Sequence, residues 1–188
     1  MSKTRLEAFS DAVIAIIMTV MVLELHVPHA ADWTALKPMV PSFVTYVFSF
    51  VMLGIYWNNH HHLFHAAERV TGRVLWANLH LLFWLSLIPF VTGWMGENHF
   101  SALPTAVYGV VLLMSAVSYT LLVMALVAQD HSSRLARAVG RDYKGKISLT
   151  LYAAAIPLAF VHQLISDALY LAVALIWFIP DRRMEAQH

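Results

Sequence analysis

Six long apolar runs alternate with short polar breaks along this chain. The first, residues 5–27 (RLEAFSDAVIAIIMTVMVLELHV), is long enough to cross a bilayer as a helix, which takes about 20 residues at about 1.5 Å each. The second opens near Pro41, a first-turn proline whose missing N–H does no harm, and runs to about residue 66. The third covers roughly residues 72–95 and the fourth 103–128. The fifth and sixth, 147–163 and 166–180, are short and almost directly joined, the pattern of a helical hairpin. His26, Pro28, His29 and Asp32 make the first link, Gly96-Glu97-Asn98-His99 a turn, and residues 129–146 a polar loop. Pro89 and Pro157 fall inside runs and predict kinks, because proline removes a backbone donor. Asp167 is placed to cap the last helix. The pattern predicts an all-α integral membrane protein, a single domain of six transmembrane helices over residues 1–188 with no internal repeat.

The first run carries two kinds of position. Ile16, Thr19, Val20 and Leu23 recur at spacings of three and four and share one helix face. At about 100° per residue, Asp11 points about 140° away from Ile16. A charge at that depth costs a few kcal/mol on insertion scales and is kept where it faces protein or water. This helix therefore needs a polar partner from a neighbour. Glu24, at the outer end, either gathers cations at a mouth or is an interfacial charge.

Composition agrees with the pattern. The chain is 60% hydrophobic and 12% charged, against about 25% charged in soluble domains. A net charge of +1 gives no reason to expect a nucleic-acid partner. The absence of cysteine excludes disulfides, thiolate metal sites and thiol catalysis. The opening run is too long for a cleavable signal and contains Asp11. Lysines and arginines are strongly biased: Lys3 and Arg5, Arg69 and Arg73, the group from Arg134 to Lys146, and Arg182 and Arg183 all fall on one side of a six-span topology, leaving only Lys37 opposite. The positive-inside rule then puts both termini in the cytoplasm. The 134–146 group reads as that topogenic signal, with contact to anionic headgroups as a lesser role. Trp33, Trp94 and Trp177 lie near run ends, as interfacial anchors do.

The second run ends in Tyr56-Trp57-Asn58-Asn59-His60-His61-His62-Leu63-Phe64-His65, and the third adds Asn78 and His80 near its start. In this topology they share a layer with Arg5, Ser10 and Asp11. Three readings fit. One is a buried polar network in which carboxylate, imidazole and amide satisfy one another and lock helix packing. Another is a metal or haem site, with His61 and His65 at i, i+4, or His60 with His80 or His162. A third is proton handling, since histidine titrates near neutral pH. Phosphate-cradling loops and nucleophile elbows are absent from the sequence.

Arg5-x-x-x-Phe9-Ser10-Asp11 in the first run resembles the signature of the endosomal and lysosomal potassium-channel family and its prokaryotic relatives. Trp57-x-x-His60-His61-x-Leu63-Phe64, Asn78 and Ser86-Leu87-Ile88-Pro89-Phe90 continue the likeness through most of the N-terminal half. The resemblance implies a homotetramer whose central pore is lined by the first helix, without the Thr-Val-Gly-Tyr-Gly filter, in the cell's inner membrane. It implies rings of Ile16, Thr19 and Leu23 as constriction and selectivity elements, with Val20 and Glu24 beside them. Arg5, Phe9, Ser10 and Asp11, with Asn78 and one of His60, His61 or His62, would form a network that holds helices together. The expected function is a cation channel modestly selective for potassium over sodium. No cofactor, metal or enzymatic activity is expected, and the partners are other copies of the chain, lipid and permeant cations. A proton-coupled transporter, or a histidine-ligated haem or metal protein, is the alternative.

Overall fold

The computed structural model describes residues 2–29, 31–67, 69–129 and 142–178, and no strand occurs among them. Helix α1, Lys3–Val20, starts where the Ser2 hydroxyl accepts the Arg5 N–H, and tightens at its far end into a 3₁₀ turn, Met21–Glu24. A second 3₁₀ stretch, Trp33–Met39, leads into α2, Val40–Ala66, with Pro41 in its first turn. Asp32 caps that stretch. Hydrogen bonds from the Thr34 hydroxyl and the Ala35 N–H hold its carboxyl below the usual carboxylate range. Because that pKa is lowered, the cap is present at neutral pH and is lost as pH falls through the depressed value.

The third run is two helices, α3 (Gly72–Ser86) and α4 (Ile88–Glu97), broken at Leu87. The break has a cause: Pro89 has no N–H to offer the Leu85 carbonyl, and Leu87 bonds back to Trp84 in a tighter turn at 3.2 Å. Helix α5 is Ala102–Val127, α6 Tyr143–Leu158 and α7 Gln163–Phe178. Among the described residues, four segments are long and apolar enough to cross a membrane: Lys3–Glu24, Trp33–Ala66, Gly72–Glu97 and Ala102–Val127. Helices α6 and α7 have 16 residues each and form the expected hairpin. At about 24 Å apiece they are shorter than a hydrocarbon core of about 30 Å.

Several boundaries differ from expectation. The helix of the fifth run, α6, begins at Tyr143 rather than 147, because Asp142 accepts the Gly145 N–H at 2.8 Å and draws part of the polar loop into a first turn. Pro157 is the penultimate residue of α6 and ends that helix instead of kinking it. Asp167 lies inside α7, which starts at Gln163, and so is not its cap. Trp177 is tied into the helix bundle: its indole N–H donates to Ser148 Oγ at 2.8 Å and its ring meets Tyr119 edge-on. The turn after α4 is a Schellman-type cap, with His99 at φ 49° and Phe100 N–H bonded to the Met95 carbonyl at 3.0 Å. Arg134, Arg137, Arg141, Arg182 and Arg183, on which the topology partly rests, lie outside the described residues.

Helix α1 packs on α2 and α3, α2 on α4, and α5 on α3 and α6. Gly96 makes the α2–α4 approach possible: a Cβ there would sit 2.6 Å from the Ser42 Cα, so only glycine fits. The core is continuous across these helices, from Leu6, Ile14 and Met21 in α1 through Leu53 and Phe64 in α2 to Leu81, Tyr108 and Tyr170.

Candidate functional site

Two faces of α1 have opposite fates. Leu6, Ser10, Ile14, Ile17 and Met21, at spacings of four and three, are buried against the protomer. Ile16, Thr19, Val20 and Leu23 are open on the other side, with Ile16 60% and Leu23 77% exposed. The stripe is branched and apolar with one hydroxyl. Thr19 donates that hydroxyl's proton to the Ile16 carbonyl at 2.9 Å, so what it turns outward is an acceptor oxygen. Phe9 and Arg5 are also exposed. Glu24 is half-buried against α4, where a Cβ on Gly93 would lie 3.0 Å from its Oε2.

The buried face is held by a directional hydrogen-bond chain. Ser10 Oγ donates to the Leu6 carbonyl at 2.9 Å, Asn78 Nδ2 donates to Ser10 Oγ at 2.9 Å, and His60 Nε2 meets Asn78 Oδ1 at 2.8 Å. The amide oxygen only accepts, so His60 Nε2 is the protonated nitrogen. All three side chains are buried, which makes each bond expensive to break. One residue from each of α1, α2 and α3 is thereby joined.

Asp11 takes a different partner from the one expected. Its Oδ1 accepts the indole N–H of Trp57 at 3.0 Å, at the edge of the buried face, and among the described residues no bond joins it to a histidine or to Arg5. Among the described residues the Arg5 side chain has no hydrogen-bond or ion-pair partner; its backbone N–H meets Ser2. The run of histidines separates by azimuth. His60 faces the core, while His61 and His65 are exposed, with ring planes 23° apart. His80 is also engaged: Nε2 accepts the Trp84 indole N–H at 3.0 Å and Nδ1 lies 3.0 Å from Ser118 Oγ.

The haem reading loses its ligands on this geometry. His60 and His80 spend ring nitrogens on internal bonds, and His162 lies in the α6–α7 turn, on the opposite side of the membrane from the end of α2 in this topology. No group of three or more His, Asp or Glu residues is arranged to hold a metal among the described residues.

The model of the family described as "Endosomal/lysosomal potassium channel TMEM175" matches residues 5–89, the part of the chain that contains α1 and its polar anchor. A potassium channel of a Chryseobacterium species is 50% identical over 186 residues, 98% of this chain and 97% of that protein. The chain belongs to the TMEM175 family. A potassium channel of Streptomyces collinus is 35% identical over 135 residues, 68% of this chain and 66% of that one. The solved structure described as a lysosomal potassium-selective channel TMEM175 homolog from Chamaesiphon minutus superposes with a TM-score of 0.82 at 25% identity, covering 95% of this chain and 97% of that chain. Membership places this TMEM175 relative among membrane-embedded channel proteins, and the shared fold extends through α5–α7, where the sequence alone offered only length and apolar character.

Trp57 is the member of this polar layer missing from the expected network. The signal was available in chemistry: an indole N–H is a donor only, and Asp11 is the acid at its depth. Asp11 and Trp57 are separated by 46 positions, and only the packing of α1 on α2 brings them together.

Proposed function

We propose that this chain is one subunit of a potassium-permeable channel in the cell's inner membrane, formed by four copies around an axis lined by α1. The observation that carries the reading is the open stripe of Ile16, Thr19 and Leu23 on a helix whose opposite face is bonded into the protomer. A closed rotational assembly repeats each residue as a ring. Rings of Ile16 and Leu23 are narrow and apolar, and such a constriction resists ions by dewetting. Slight widening or rotation of α1 wets it, and the acceptor oxygens of Thr19, directly or through water, then replace part of the hydration shell. A more strongly hydrated ion loses more there, which favours K⁺ modestly over Na⁺. The Ser10–Asn78–His60 chain and the Asp11–Trp57 bond limit how far α1 moves. Both termini are cytoplasmic, and the pathway needs no cofactor.

Reconstitution into liposomes tests this. Voltage-driven K⁺ efflux that exceeds Na⁺ efflux, and that increases in Ile16→Asn and Leu23→Asn, is the expected result. Flux that requires a pH gradient would indicate a proton-coupled transporter, and flux unchanged in every stripe variant would reject the assignment of the pore.

A further inference from the structure

The histidines at the end of α2 differ in environment. His60 is consumed by Asn78. His61 and His65 are exposed, one helical turn apart, with ring centroids at 6.3 Å and planes at 23°. Among the described residues neither ring forms a hydrogen bond or an ion pair; their contacts are with rings, His61 stacking on Trp57 at 6.3 Å. Two imidazoles at i, i+4 with free nitrogens, on one accessible face, are the minimal chelate for a borderline divalent transition metal. Zinc–nitrogen bonds of about 2.0–2.1 Å in a tetrahedral shell set ligating nitrogens about 3.3 Å apart. Exposed side chains reach that separation by rotation alone, leaving two positions for water.

We propose that His61 and His65 form a two-histidine site for a Zn²⁺-class divalent cation at the end of α2 that meets the start of α1. The surroundings temper its affinity. Lys3 Nζ, donated to the His65 carbonyl at 3.1 Å, adds a positive charge close by, and Asp11, bonded to Trp57, adds a negative one a turn away. The position also has a consequence for α1. The same stretch of α2 supplies Trp57 to Asp11 and His60 to the Asn78–Ser10 chain, so a metal that ties His61 to His65 stiffens the segment that anchors α1. This consequence rests on α1 lining the pore; the binding itself does not.

Calorimetric titration of Zn²⁺ into the assembled, tag-free protein in lipid nanodiscs near neutral pH tests the site. One Zn²⁺ per protomer is expected, with an apparent affinity at least tenfold weaker in His61→Gln and in His65→Gln and unchanged in His62→Gln. Equal affinity in the double variant His61→Gln/His65→Gln, with its elution volume confirming an intact assembly, would overturn the site. Zn²⁺ should slow K⁺ efflux from liposomes carrying the wild type and not the double variant; equal slowing in both would overturn the link to α1. Calorimetry requires no ion flux, so failure of the site and failure of the channel reading are separate results.

Discussion

Asn78 is the residue on which the polar anchor turns, since its amide serves His60 with the oxygen and Ser10 with the nitrogen. Asn78→Ala leaves a buried imidazole and a buried hydroxyl each short of a partner, and such losses cost about 1–3 kcal/mol per group. The expected outcome is a lower melting temperature of the assembled protein with the oligomer retained at low temperature, read by size-exclusion chromatography after heating. For the Asp11–Trp57 pair, Asp11→Asn keeps an acceptor for the indole and should be mild. Asp11→Ala and Trp57→Phe should each destabilise, and their double variant should cost less than the sum, because both remove one bond. Additive losses would show that the two residues act independently. At this scale the sequence was partly legible. Depth placed Ser10, Asp11, the histidines and Asn78 in one layer, but consecutive helical residues point about 100° apart. Which of three adjacent histidines faced inward therefore depended on how α2 is rotated against α3, and that is a property of tertiary packing. The expected Asp11–histidine pairing failed for the same reason: the rotation that buries His60 presents Trp57 to Asp11.

Elements were more legible than pairs. Apolar length set all six runs, and proline and capping chemistry account for most places where helices begin and end differently. Pro89 turned one run into α3 and α4, and Asp142 drew α6 forward by a turn. Close approach of two helices leaves a weaker trace, often a single glycine. Gly96 is such a position in this chain, and Gly96→Ala forces the α4 backbone away from Ser42 and Thr45. Overpacking of this kind costs about 1–3 kcal/mol. The expected result is reduced yield of folded protein and a lower melting temperature, whereas Gly54→Ala, at a position with open space around it, should have neither effect. Equal behaviour of the two variants would mean that the α2–α4 contact is not as close as described.

For the whole molecule, the periodicity of one helix carried the most information. Spacing grouped Ile16, Thr19, Val20 and Leu23, and in the folded protomer that group is the open side of α1, while Ile14, Ile17 and Met21 are buried. A pore axis places that side against water, whereas a neighbouring subunit or lipid would keep water from it. The absence of cysteine allows a direct measurement. Single substitutions Ile16→Cys, Thr19→Cys and Leu23→Cys, with Ile14→Cys and Ile17→Cys as buried-face controls, are exposed to a membrane-impermeant, water-soluble thiol reagent during K⁺ current recording. The account predicts irreversible block at 16, 19 and 23 and none at 14 and 17. Unreactive thiols at all three stripe positions in a channel that still conducts would contradict it.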